Sequence, residues 1–134
     1  MAEVVISNEA FTMVLDRRAE RSNLYVLQML PVDAQQVHLD VLQSSLEMIC
    51  NNSLMKSSIV LDCSLLKQKG LVKRFMKLCF KKIIAIDNPA GLDKFIIVTT
   101  STLVSVMSKS IIKLKRADHY TKICSSMEEA LREV

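Results

Sequence analysis

The sequence predicts a single α/β domain: a mixed, mostly parallel sheet with an N-terminal β-hairpin and about four covering helices. Three observations predict it. Short β-branched runs alternate with stretches whose apolar residues fall three and four apart, the pattern of strands joined by crossover helices. Two of those runs, 59–61 and 83–86, each end at an aspartate and flank a basic helical segment, so residues 58–87 read as a βαβ unit with parallel strands. The 134 residues, half of them apolar with only two glycines and two prolines, suffice for one packed core and not for two.

At the N-terminus, apolar runs 4–6 and 11–15 are parted by Ser7, Asn8 and Glu9, and a charged run over 16–23 precedes the apolar segment 24–30. The second and third runs pair as an antiparallel hairpin with the charged segment as its solvent-facing loop, and Pro31 ends it. Asp33, followed three residues later by Gln36, has the form of a capping box. It opens a helix over about 34–52. Leu39, Leu42, Leu46, Ile49 and Cys50 share one face of that helix, while Gln36, Asp40, Gln43, Glu47 and Asn51 fall elsewhere.

In the basic helix, about 70–82, Leu71, Phe75, Leu78 and Cys79 form an inward stripe flanked by Val72, Met76 and Phe80. Lys73, Arg74, Lys77 and Lys81 are left for solvent. Residues 88–91 (NPAG) are a turn by their chemistry. Segment 95–100 is β-branched enough for a strand, but Leu103, Val104, Met107, Ile111 and Leu114 have helical spacing. One long helix from about Leu92 or Thr100 to Lys115 accounts for more of these residues and is the preferred reading. A loop over 116–120, a short strand over 121–124 and a final helix complete the chain. Ser126 and Glu129 give that helix a capping box, with Met127, Ala130, Leu131 and Val134 able to face inward.

Several of these segments carry a resemblance. The strand end IVLDCS at 59–64, the helix opening at Gly70 and Leu71, IIAID at 83–87 and the strand and helix KICSSMEEAL at 122–131 together resemble the STAS domain, in particular its SpoIIAA-like bacterial members. The resemblance covers nearly the whole chain as an order of elements. It implies a SpoIIAA/STAS-like fold and a regulatory role through protein association. One departure is plain. Antagonists of that family follow the strand end with a phosphorylatable serine in a D-S-[ST]-G-L setting, whereas residues 64–70 here are SLLKQKG, with Gln68 and Lys69 in place of the hydroxyl residues.

Composition narrows the function classes. The stretch 95–114 contains too many Ser, Thr and Lys residues for a lipid-spanning helix. The first ten residues lack the basic start and apolar core of a secretion signal, so a cytoplasmic location is expected. Cys50, Cys63, Cys79 and Cys124 lie far apart, without CxxC or zinc-type spacing, and read as buried small apolar residues. The net charge of +4 is small and the basic residues form one patch without interleaved aromatics, which argues against nucleic acid. The patch Lys73, Arg74, Lys77 and Lys81 is the candidate interaction surface, for an acidic protein or a weak contact with an anionic surface.

A second candidate lies at the strand ends. Asp62, Ser64 and Asp87 sit where open α/β sheets place ligands. Two carboxylates there could hold Mg²⁺ or accept a phosphoryl group, but aspartate at such a place also serves the following turn, and no phosphate loop accompanies the pair. His38, on the predicted helix, and His119, in the loop before the last strand, read as solvated; Cys63 or Ser64 with one of them could form a nucleophile and base, but no nucleophile-elbow glycines surround either nucleophile. The hydroxyl-rich face of Thr99, Thr102, Ser105 and Ser108, with eight methionines in the chain, reads either as an adaptable contact face, including for a second copy, or as a helix in a crowded groove. The favoured expectation is a non-catalytic protein-interaction module without cofactor or metal. The alternative is a protein that binds a small apolar or anionic ligand, such as a lipid, between helices and sheet.

Overall fold

A computed structural model describes residues 2–19, 22–32, 35–52, 54–66, 91–114 and 120–134. Its elements are β1 (Ala2–Ser7), β2 (Phe11–Ala19), β3 (Ser22–Met29), α1 (Gln36–Asn51), β4 (Lys56–Asp62), β5 (Leu92–Val98), α2 (Thr102–Leu114), β6 (Thr121–Cys124) and α3 (Met127–Glu133). The six strands form one sheet in chain order. β1, β2 and β3 are antiparallel neighbours, and β3, β4, β5 and β6 each run parallel to the next. The α/β class and the mixed sheet are as the sequence predicts. Three helices are described, and the expected basic helix and strand 83–86 lie outside the described residues.

Each strand carries its reason in its sequence. Asn8 closes the first turn, its Oδ1 accepting from the Ala10 and Phe11 amides at 2.8 and 3.0 Å. The charged run expected to form the hairpin loop instead lengthens β2, with Asp16 opposite Leu24 and Arg17 opposite Asn23. Charged side chains are tolerated there because that end of the strand is open to water. Arg17 meets Glu3 at 3.0 Å across the β1–β2 pair, and Arg18 meets Asp16 at 3.1 Å. The N-terminal unit is thus a three-stranded meander rather than a single hairpin.

β4 and β5 are buried on both faces, which is why each reads as a nearly unbroken apolar run. Ile59, Leu61, Phe95 and Ile97 join the larger core with α1 and with Val104 and Ile112 of α2. Val60, Ile96 and Val98 join a second core with Leu24, Cys124 and Ala130 of α3. The two cores thus lie on opposite faces of the sheet, with α1 and α2 over one and α3 over the other.

Two helix boundaries differ from expectation. α1 starts at Gln36 with Gln35 as N-cap, and the Gln35 amide donates to His38 Nδ1 at 3.2 Å, a reversed cap provided by a residue that pattern reading left in solvent. The expected cap, Asp33, lies outside the described residues. The long helix from Leu92 is replaced by strand β5 followed by α2. Residues 92–98 are held between two parallel neighbours, and the Ser101 amide donates to Thr99 Oγ1 at 3.0 Å while Ser101 Oγ accepts from the Val104 amide at 3.4 Å. These hydroxyls stop the strand and start the helix. α3 has only seven residues and buries Ala130, with Met127 half-buried; Leu131 and Val134, expected to face inward, are exposed.

The C-terminal end of α1 is fastened by Gly91. Its amide donates to the Cys50 carbonyl at 2.7 Å and its carbonyl accepts from the Ser57 amide at 2.8 Å, so one residue ties α1, β4 and the start of β5 together.

Candidate functional site

The carboxyl ends of the parallel strands are the first place a ligand would be sought. β4 ends there in Asp62, which is buried, and its Oδ1 accepts from the Ser64 amide at 3.0 Å. The Cys63 amide donates to the Val98 carbonyl at 2.9 Å, and the Leu66 amide donates back to Cys63 at 3.0 Å, so the chain turns at once. Asp62 and Ser64 are therefore brought together, by the turn that Asp62 itself organises. Asp87 lies outside the described residues, as do Lys73, Arg74, Lys77 and Lys81. Among the described residues no group of three or more His, Cys, Asp or Glu side chains could hold a metal ion.

This geometry separates a structural aspartate from a reactive one. Asp62→Ala removes the acceptor of a part-buried amide, so a loss of about 1–3 kcal/mol is expected in denaturant unfolding. Asp62→Asn keeps an oxygen at the same place and is expected to lose less than about 1 kcal/mol. Equal losses in the two variants would mean that the charge, and not the turn, is what the site needs.

Cys50, Cys63 and Cys124 are buried, as expected of small apolar residues. Burial pushes the Cys50 thiol up to about 11, which keeps it protonated and unreactive at neutral pH. Cys79 and His119 lie outside the described residues. Of the hydroxyl-rich face, Ser108 is wholly buried and Thr99 serves the strand end, which favours close packing over a contact face for those two residues; Thr102 is exposed.

At the opposite edge, α3 is fixed by charge. Lys122 Nζ meets Glu133 Oε1 at 2.6 Å, and Lys94 Nζ donates to the Glu133 carbonyl. Ser126 caps the helix by accepting from the Glu129 amide at 3.1 Å, as its sequence predicts, but Glu129 reaches one residue further back. Its Oε2 accepts from the amide and the hydroxyl of Ser125 at 3.2 and 2.9 Å. Those bonds, the backbone one foremost, hold the Glu129 carboxyl below its ordinary value. A depressed carboxylate stabilises the fold above its unfolded pKa, and that contribution is lost as pH falls through the folded one. The Ser125 amide resonance is therefore expected to shift on acidification with a midpoint below the usual glutamate range. In Glu129→Gln the shift should vanish.

Two features were missed by pattern reading. The first is a second apolar stripe on α1. At 100° per residue Val37, Val41 and Met48 fall within about 40° of one another and opposite the buried face, and they are 63%, 41% and 75% exposed. These residues stand in the sequence, but the spacing of three and four assigns a role only to the inward five. The second is a cleft of about 280 Å³ between α1 and the meander, lined mainly by Met13, Met48, Met55, Tyr25, Ile6 and Leu15. Its polar members are Asn23, Ser45, Asn52 and Ser57. No sequence signal of fixed spacing marks it, because its walls come from β1, β2, β3, α1 and the start of β4.

Compared with known proteins, the chain matches no family model, and no curated sequence or solved structure is significantly similar to it. No helix among the described residues is long and apolar enough to cross a membrane.

Proposed function

We propose that this chain is a non-catalytic regulatory module of STAS-like type that works by binding a protein partner in a bacterial cytoplasm. One observation carries the association: α1 fills the core with one face and still offers Val37, Val41 and Met48 to water on the other. A helix with a second apolar stripe gains free energy when another surface covers it. The run of parallel neighbours from β3 to β6 supports the architectural half of the reading, and the engagement of Asp62 by its own turn supports a structural part for the strand end.

The test compares two tagged forms of the protein in bacterial extract, the wild type and the double variant Val37→Glu with Val41→Lys. Both sites are exposed, and a Glu four residues before a Lys suits a helix, so the variant should fold and melt like the wild type. The wild type is expected to retain a defined partner that the variant loses by at least about tenfold. Equal retention, or turnover of a phosphate or acyl substrate by the pure protein, overturns the proposal.

A further inference from the structure

We infer that the outward face of α1 receives a basic amphipathic helix of the partner, one with an apolar seam and with Lys or Arg along the edge of that seam. This rests on the association proposed above and names the chemistry of the partner.

The outward face has the spacing of a helix pair. Val37, Val41, Ser44 and Met48 follow one another at four, three and four residues, the alternation that lets two helices lie side by side with interlocking side chains. All four are exposed. They extend along about 16 Å of α1, while Leu39, Leu42, Leu46, Ile49 and Cys50 hold the helix from beneath. A helix laid on this face therefore meets a surface that needs no ordering of its own.

The edges of the seam decide the occupant. At 100° per residue Asp40 and Glu47 stand about 60° and 80° to one side of Val37, and they are about 10.5 Å apart along the axis. Positions that flank a seam in this way set partner choice between paired helices. Gln36 Nε2 donates to Asp40 Oδ1 at 2.9 Å and Gln43 Nε2 donates to Glu47 Oε1 at 3.0 Å, so a neutral amide holds each carboxylate along the edge. Neither carboxylate has a cationic partner among the described residues. The other edge, with His38 and Ser45, has no carboxylate, and α1 contains no Lys or Arg.

A second copy of α1 supplies no counter-charge. Laid antiparallel it would bring the same acidic edge against the first, and laid parallel it would set that edge against His38 and Ser45. An acidic helix would meet like charge at both carboxylates. A helix with Lys or Arg two turns apart meets both at once.

Two stapled helical peptides provide the test. Both carry Leu along the seam and Ala on the far side, and they differ only in having Lys or Glu at every edge position. Each is titrated into protein labelled at its methionine methyl groups and followed by NMR, with Met48 as the reporter. The Lys peptide is expected to shift the Met48 signal saturably and to bind about tenfold more tightly than the Glu peptide at low salt, an advantage that fades in molar salt. In Asp40→Asn with Glu47→Gln, which keeps the side-chain shapes, the two peptides should bind alike. Equal affinities for the wild type overturn the basic partner and leave the apolar stripe as a docking face, and that comparison needs no variant. No shift of Met48 by either peptide at millimolar concentration, or binding undiminished in Val37→Glu with Val41→Lys, overturns the docking face itself and with it the association proposed above. A Met48 signal that shifts on concentrating the protein alone assigns the face to a second copy and overturns the basic partner.

Discussion

Gly91→Ala is expected to destabilise the domain by at least about 2 kcal/mol, against the usual sign of that substitution. Replacing glycine by alanine at a compatible site stabilises by about 0.4–1 kcal/mol, because the unfolded chain has less freedom to lose. Here a Cβ would stand 2.5 Å from the Ile49 carbonyl oxygen and closer still to that of Asn52, both backbone atoms at the end of α1. Neither can rotate away as a side chain would. The helix end must move, and the bonds from the Gly91 amide to Cys50 and from the Ser57 amide to Gly91 move with it. Overpacking of this kind costs about 1–3 kcal/mol and the strained bonds add to it, so steric cost outweighs the entropic gain. In a domain of this size the melting temperature should fall by about 6 °C or more. An unchanged or raised melting temperature would show that α1 does not end against β5 in this way.

The same residue shows what a sequence hides. Gly91 reads as one member of an Asn-Pro-Ala-Gly turn, and its chemistry predicts a turn without predicting what approaches it. Local regularities were legible. The inward face of α1 was read in full from its spacing, because Leu39, Leu42, Leu46, Ile49 and Cys50 are all buried. So were the strand through Ile59 to Leu61, the short last strand and the cap at Ser126, each of which rests on neighbours in sequence.

What failed was decided by contacts between distant segments. β5 reads as the start of a helix because a strand buried on both faces has no alternation to betray it, and Ile96, Ile97 and Val98 suit either structure until β4 and β6 enclose them. The charged end of β2 reads as a loop because its pairing with β3, and not its own composition, makes it a strand. The cleft is the extreme case. Val5, Asn23 and Ser57 meet only through the registers of three strand pairs, so no window of the sequence contains it.

The sharpest contrast within one element is expected between adjacent residues of α1. Leu42 is fully buried in the larger core, while Val41 stands 41% exposed on the outward stripe. Leu42→Ala removes three carbons from a site hemmed by the sheet, and the sum of lost transfer energy and residual cavity is about 3 kcal/mol. Val41→Ala removes a partly hydrated β-branched side chain from a helix, where alanine has the better propensity, so its effect should stay within about 0.5 kcal/mol. Denaturant unfolding of both variants, at unchanged slope, measures the difference. A small loss at Leu42 would mean that α1 is not seated on the sheet, and a large one at Val41 would mean that the outward stripe is already covered by the chain itself. The second outcome bears directly on association, because a stripe that the isolated domain needs for its own stability is not available to a partner.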